Sequence, residues 1–144
     1  MRGLLGELLS TQAEMTVVDM EAGLEHLSRS GGTLRYVDHL LVVVEPYAKA
    51  IETARRTVRL AQDLGIARIS LLASKVREES ELTLLDPLRA EFGIELIGVV
   101  PYDDAVRLAD RAGLPPIEVA PNSALVDAVS RLAESLTAPR PALV

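Results

Sequence analysis

Short apolar runs alternate along the chain with longer stretches of helical period. The runs are Met15-Thr16-Val17-Val18 closing on Asp19, Leu40 to Val44 closing on Glu45-Pro46, Ile69-Ser70-Leu71-Leu72, and Ile94 to Val100 closing on Pro101. Each is almost continuously apolar, as strands buried on both faces are, and the spacing between the later three leaves room for crossover helices. The pattern predicts an α/β fold: a mostly parallel sheet of about four strands with helices on both faces.

The intervening segments carry the helical stripe. From Ala48 to Leu64, Ile51, Ala54, Val58, Ala61 and Leu64 share one side, Arg55, Arg56, Arg59 and Asp63 face outward, and Gly65 closes the helix. Ser80 to Phe92 repeats the design with Leu85, Leu88 and Phe92 inside and Gly93 behind, with Pro87 in its first turns or kinking it. Asp103 is placed to cap a helix reaching Ala112 before Gly113, and Asn122 or Ser123 to cap a last one with the stripe Leu125, Val129, Leu132 and Leu136. Residues 1–136 read as one domain and 137–144, with Pro139 and Pro141, as a fraying tail. Gly3 to Leu9 form a leucine-rich turn or two with no strand before them, and Gly31-Gly32 marks a surface loop.

Length and charge narrow the function. With 144 residues the chain can bury a core without staples, and it has no cysteine to make them. A net charge of −6 and four aromatic residues supply neither the basic field nor the stacking surface of a nucleic-acid reader. The longest purely apolar run, Leu40 to Val44, is far short of the roughly 20 residues that span a bilayer, and no signal-peptide stretch opens the chain. A cytoplasmic protein without membrane or nucleic-acid partners is expected. Lys49 and Lys75 are its only lysines.

In open α/β sheets ligands bind beyond the carboxyl ends of the strands. That directs attention to Asp19–Gly23, Glu45-Pro46, Ser74-Lys75 and Pro101–Asp104. An Asp ending an apolar strand can hold a hydrated Mg²⁺, and a Gly four residues on lets backbone N–H approach a phosphate. The same spacing also suits a plain turn, with Gly23 supplying a positive φ. Lys75 can equally be a solvated strand-end charge, and Pro101-Tyr102 turn chemistry before a helix. His26 and His39 lack zinc-ligand spacing, Arg55, Arg56 and Arg59 suit a solvated helix face, and no G-x-S-x-G elbow is present.

Two longer strings discriminate further. Asp19-Met20-Glu21-Ala22-Gly23-Leu24-Glu25-His26-Leu27-Ser28-Arg29 and Val37-Asp38-His39-Leu40-Leu41-Val42-Val43-Val44-Glu45-Pro46, followed by Ile51-Glu52-Thr53-Ala54 and Val99-Val100-Pro101-Tyr102-Asp103, resemble the P-loop ATPases that mature nickel carbon monoxide dehydrogenase (CooC type). These belong with the MinD, ParA and nitrogenase iron protein class, and the likeness runs from Gly3 to about Leu136. The resemblance implies ATP and Mg²⁺ as cofactors, with Asp19 the Walker B carboxylate on Mg²⁺ and Gly23 the switch II glycine sensing the γ-phosphate. Ser74-Lys75 would stand where the class reads adenine with Asn-Lys, and Pro101, Tyr102 and Asp103 would line the base. Ser74 departs from that pattern: a hydroxyl is shorter than an amide and offers a different donor and acceptor set.

The phosphate grip itself is absent from these residues. A P-loop needs glycines for its nest, a Lys for charge and a Ser or Thr on Mg²⁺, yet neither lysine here follows a glycine and no G-x-x-x-x-G-K-[ST] occurs. The second, upstream lysine and the Cys-x-Cys pair of the maturation ATPases are missing as well. The expectation is the carboxy-terminal portion of such an ATPase, a P-loop NTPase-like fold lacking its first strand and P-loop and inactive alone. It would work as a homodimer or with a complementing P-loop-containing chain, serving a metalloenzyme client. The alternative is a non-enzymatic interaction or dimerisation module that kept the fold and lost the nucleotide. A receiver domain would also place Asp19 and Lys75 at strand ends, but the acidic pair that should follow the first strand is missing.

Overall fold

The computed structural model describes residues 15–20 and 37–137. Among them a three-stranded parallel sheet is ordered β1-β2-β3, from β1 (Leu40–Val44), β2 (Ile69–Val76) and β3 (Glu95–Pro101). Helix α1 (Ala48–Asp63) connects β1 to β2. A 3-10 segment (Glu79–Leu85) and α2 (Asp86–Phe92) connect β2 to β3, and α3 (Ala105–Ala112), α4 (Pro116–Val119) and α5 (Ala124–Thr137) follow.

The local sequence accounts for most boundaries. Gly65, Gly93 and Gly113 take φ of 76°, 63° and 63°, the left-handed conformation that ends α1, α2 and α3 without a Cβ clash. The expected helix from Ser80 to Phe92 is instead divided. Pro87 falls in the first turn of α2, where its missing N–H costs nothing, and the residues before it wind as 3-10 structure. A capping box between Glu78 and Glu81 opens that segment.

One face of the sheet holds the main core. Val42 and Val44 of β1 and Leu71 and Ala73 of β2 pack with Ala54 and Val58 of α1 and with Leu85 and Leu88. The other face is covered by α5, where Leu72, Val100 and Ala128 are buried with Leu41, Leu125 and Leu132 against them. The stripe on α5 therefore runs through Leu125, Ala128 and Leu132, and Val129, expected inside, is exposed. At β3 the register slips from Leu71↔Leu96 to Leu72↔Gly98, and a Cβ on Gly98 would stand 2.8 Å from Leu72 Cδ1 and 3.5 Å from Leu132 Cδ1. Glycine there leaves room for the Leu72 side chain of the neighbouring strand, whereas Leu132 of α5 would meet a Cβ only at ordinary van der Waals distance.

The expected strand from Met15 to Asp19 is absent. Among the described residues no strand lies beside it to take its N–H and C=O groups, and without a ladder an apolar run is not a strand. Val17 is accordingly 78% exposed. The sheet so described has three strands rather than four, and β1 keeps an open edge. The leucine-rich opening (Gly3 to Leu9), the loop at Gly31-Gly32 and residues 138–144 of the tail lie outside the described residues, and Thr137 closes α5. No helix among the described residues is long and apolar enough to cross a membrane.

Candidate functional site

The carboxyl end of β2 is irregular. Partners run Ala73↔Val99 and then Val76↔Pro101, so three steps along β2 match two along β3 and β2 carries one extra residue. Lys75 absorbs it with φ of 57°, a left-handed conformation that penalises residues bearing a Cβ. Ser74 and Lys75 thus lie inside β2, which runs four residues beyond the Leu72 end expected of it.

The bulge sends two cations to opposite sides. Toward β1, Lys75 Nζ donates to Glu45 Oε1 at 2.7 Å, and this carboxylate raises the Lys75 pKa above its ordinary 10.5. Beside the pair opens a cleft of about 440 Å³ lined by Val43, Glu45, Tyr47, Thr53, Ser74 and Lys75. Toward β3, the Tyr102 N–H donates to the Val76 carbonyl at 2.8 Å, and the Arg77 guanidinium lies over the Tyr102 ring, 3.6 Å from its centroid.

Asp103 is committed to structure. Its Oδ1 accepts from the Ala105 N–H at 2.8 Å and its Oδ2 from the Leu125 N–H at 3.2 Å, so one carboxylate ties the first residue of α3 to the start of α5, although the N-cap position itself falls on Asp104 rather than on Asp103 as expected. The hydrogen bonds from Ala105 and then Leu125 hold its pKa below the ordinary 3.8.

The predicted site residues therefore divide. Ser74, Lys75, Pro101, Tyr102 and Asp103 all lie at the carboxyl ends of β2 and β3, but Ser74 and Lys75 line the cleft toward β1, whereas Tyr102 turns to Arg77 and Asp103 to α3 and α5. Asp19 is exposed, and its neighbour Met20 packs on the cluster of Ala61 and Ile66, which lies at the amino end of the sheet. Gly23 and His26 lie outside the described residues. His39 Nε2 sits 3.0 Å from Ser70 Oγ. Arg55, Arg56 and Arg59 pair with Glu52 and Glu91 along α1 and α2, as a solvated face does.

Two residues beside the site escaped the sequence reading. Tyr47 precedes α1 and lines the cleft, and Arg77 reaches Tyr102 because the bulge upsets the alternation along β2. Among the described residues no cluster of three or more His, Asp or Glu side chains is arranged to hold a metal ion. Asp19 offers one carboxylate, which suits a hydrated Mg²⁺ only when phosphate oxygens complete the shell.

Comparison with known proteins now decides the family. No family model matches the chain. An ATP-binding protein of Methanocaldococcus jannaschii is 41% identical over 115 residues, 80% of this chain and 44% of that protein. The carbon monoxide dehydrogenase accessory protein CooC of Rhodospirillum rubrum is 37% identical over 120 residues, 83% of this chain and 44% of CooC. In structure, MinD of Pyrococcus horikoshii, solved with Mg-ADP, superposes with a TM-score of 0.73 at 17% identity, over 94% of this chain and 54% of MinD. The chain belongs to the MinD/ParA class of ATP-binding proteins.

It spans less than half the length of the two relatives matched in sequence. The MinD/ParA frame agrees with the parallel sheet and its helices, and MinD of Pyrococcus furiosus shares it at the same TM-score of 0.73.

Proposed function

We propose that the chain is the nucleotide-binding portion of a MinD-like ATPase resembling the carbon monoxide dehydrogenase accessory proteins, and that it does not hydrolyse ATP alone. The observation that carries this reading is its 41% identity to an ATP-binding protein, joined to the placement of Ser74, Lys75, Pro101 and Tyr102 at the carboxyl ends of a parallel sheet. In this reading Ser74 and Lys75 face the base with Pro101 and Tyr102 beside it, and Asp103 holds that loop in place. Asp19 serves Mg²⁺ and Gly23 the γ-phosphate once a P-loop-bearing strand is present. The P-loop comes from a second chain, the working state is a dimer or a complemented pair, and the client is a metalloenzyme.

A second reading, a non-enzymatic interaction module, draws on a specific feature: Lys75 and Asp103 are both occupied by protein partners. Calorimetry and phosphate release with MgATP separate the two. The chain alone should show no turnover and no micromolar binding, and adding a segment bearing G-x-x-x-x-G-K-[ST] should restore both. Micromolar affinity with turnover by the chain alone would overturn the proposal, and no gain on complementation would favour the interaction module.

A further inference from the structure

At the amino end of the sheet a cavity of about 440 Å³ opens between β3 and the last turn of α5. Arg68, just before β2, and Glu95, the first residue of β3, line it with Arg89 of α2 and Ser135 of α5. The strands fix two of these positions: the Arg68 carbonyl accepts the Leu40 N–H at 2.9 Å, and Glu95 stands in register with Ser70. Among the described arginines, Arg68, Arg77 and Arg111 have no carboxylate within 4.0 Å. Arg77 rests on Tyr102 and Arg111 is exposed in the last turn of α3, so of the three only Arg68 lines this cavity. Glu95 likewise makes no ion pair among the described residues, although it shares the cavity with two guanidinium groups. Arg89 is partly spent: its Nη1 donates to Asp86 Oδ1 at 2.9 Å, while its Nε is buried without an acceptor.

One unspent positive charge and one unspent negative charge therefore stand on the same space without meeting. A guanidinium without a carboxylate is matched in shape and charge by the carboxylate of a ligand, and Arg89 stands beside it with a donor unbonded. A purely anionic ligand is opposed by Glu95, whereas a ligand that also carries an ammonium satisfies it. Ser135 Oγ gives its hydrogen to the Leu132 carbonyl at 2.8 Å, so its lone pairs can accept from the same ammonium. Leu96, Ile97 and Leu136 make the rest of the wall apolar, and the volume falls in the range of roughly 300–1,000 Å³ common for small-molecule sites. From this arrangement we infer that the cavity binds a free α-amino acid with an apolar side chain, its carboxylate on Arg68 and Arg89, its ammonium on Glu95 and Ser135, and its side chain against Leu96, Ile97 and Leu136. The site lies at the opposite end of the strands from Ser74 and Lys75 and does not depend on the nucleotide reading.

The test is an NMR titration of the full isotope-labelled chain with L-leucine, leucinamide, 4-methylpentanoate and glycine, following Arg68 Nε and the Leu96, Ile97 and Leu136 methyls. Leucine should move these signals saturably. Leucinamide lacks the carboxylate, 4-methylpentanoate the ammonium and glycine the side chain, and each should bind about tenfold or more weakly. Arg68→Gln should weaken leucine by about tenfold and abolish the preference for leucine over leucinamide, and Glu95→Gln should abolish the preference over 4-methylpentanoate. The ligand series is read on the unaltered chain, so it decides the matter even where a variant fails to fold. Binding of 4-methylpentanoate as tight as that of leucine would reduce the cavity to an anion site and overturn the proposal. Leucine-dependent shifts at Ser74 and Lys75 with Arg68 unmoved would overturn it too, as would the absence of any saturable shift with leucine.

Discussion

On the face under α1 and α2, Val42, Val44, Leu71 and Ala73 meet Val58, Leu85 and Leu88 in a closed core. On the face under α5, burial is confined to Leu72, Val100 and Ala128, and Val43, which points the same way from β1, is 60% exposed. The strands are apolar on both sides, so their sequence asks for two covers of equal extent. The described helices cover one face fully and the other in part. α1 and α2 flank the middle of the sheet, whereas α5 lies over β3 and, among the described residues, reaches β1 only at Leu41 and leaves Val43 exposed beside an unpaired edge. Apolar surface left beside an unpaired edge is surface on which further structure gains by packing.

Breaking the closed face should have the largest effect. Leu88 is fully buried, and Leu88→Ala should lose about 2–5 kcal/mol in urea unfolding through lost transfer energy and a residual cavity. A loss below 1 kcal/mol would mean that this face is no tighter than the other.

The thin face depends on the tie that holds α5 in place. Asp103→Ala removes the acceptor for Ala105 and Leu125, and thermal unfolding at neutral pH should fall by a few degrees, less than for Leu88→Ala. The sign of its pH dependence follows from the lowered pKa. The Asp103 contribution is complete above its ordinary 3.8 and is lost as pH falls through the lower folded value, so wild type and Asp103→Ala should converge in strong acid. A gap that persists or widens in acid would place the effect elsewhere.

Least should follow from Val43→Thr. Its side chain is already in water, and the change should move stability by no more than about 0.5 kcal/mol. A larger loss would reveal a cover over β1 that is present in solution, so that the two faces are alike after all.

The elements themselves could be read from the chain. β1 has the expected bounds, α1 falls within one residue of its expected end, and Gly65, Gly93 and Gly113 stop helices where they should, since periodicity and left-handed glycines act over a few residues. The candidate site was legible only in outline. Ser74, Lys75, Pro101, Tyr102 and Asp103 were named, but the Lys75–Glu45 pair joins residues 30 apart and the Asp103–Leu125 bond residues 22 apart.

By itself the sequence determined an α/β chain of parallel strands, a MinD/ParA-like string of motifs minus a P-loop, and the residues that end its helices, because these are properties of local pattern. Tertiary structure alone decided that Met15 to Asp19 is no strand, that Lys75 sits on a bulge, and that Arg77 rests on Tyr102. A ladder needs a neighbour, and a bulge is a mismatch in length between two strands. Neither is a property of one segment alone.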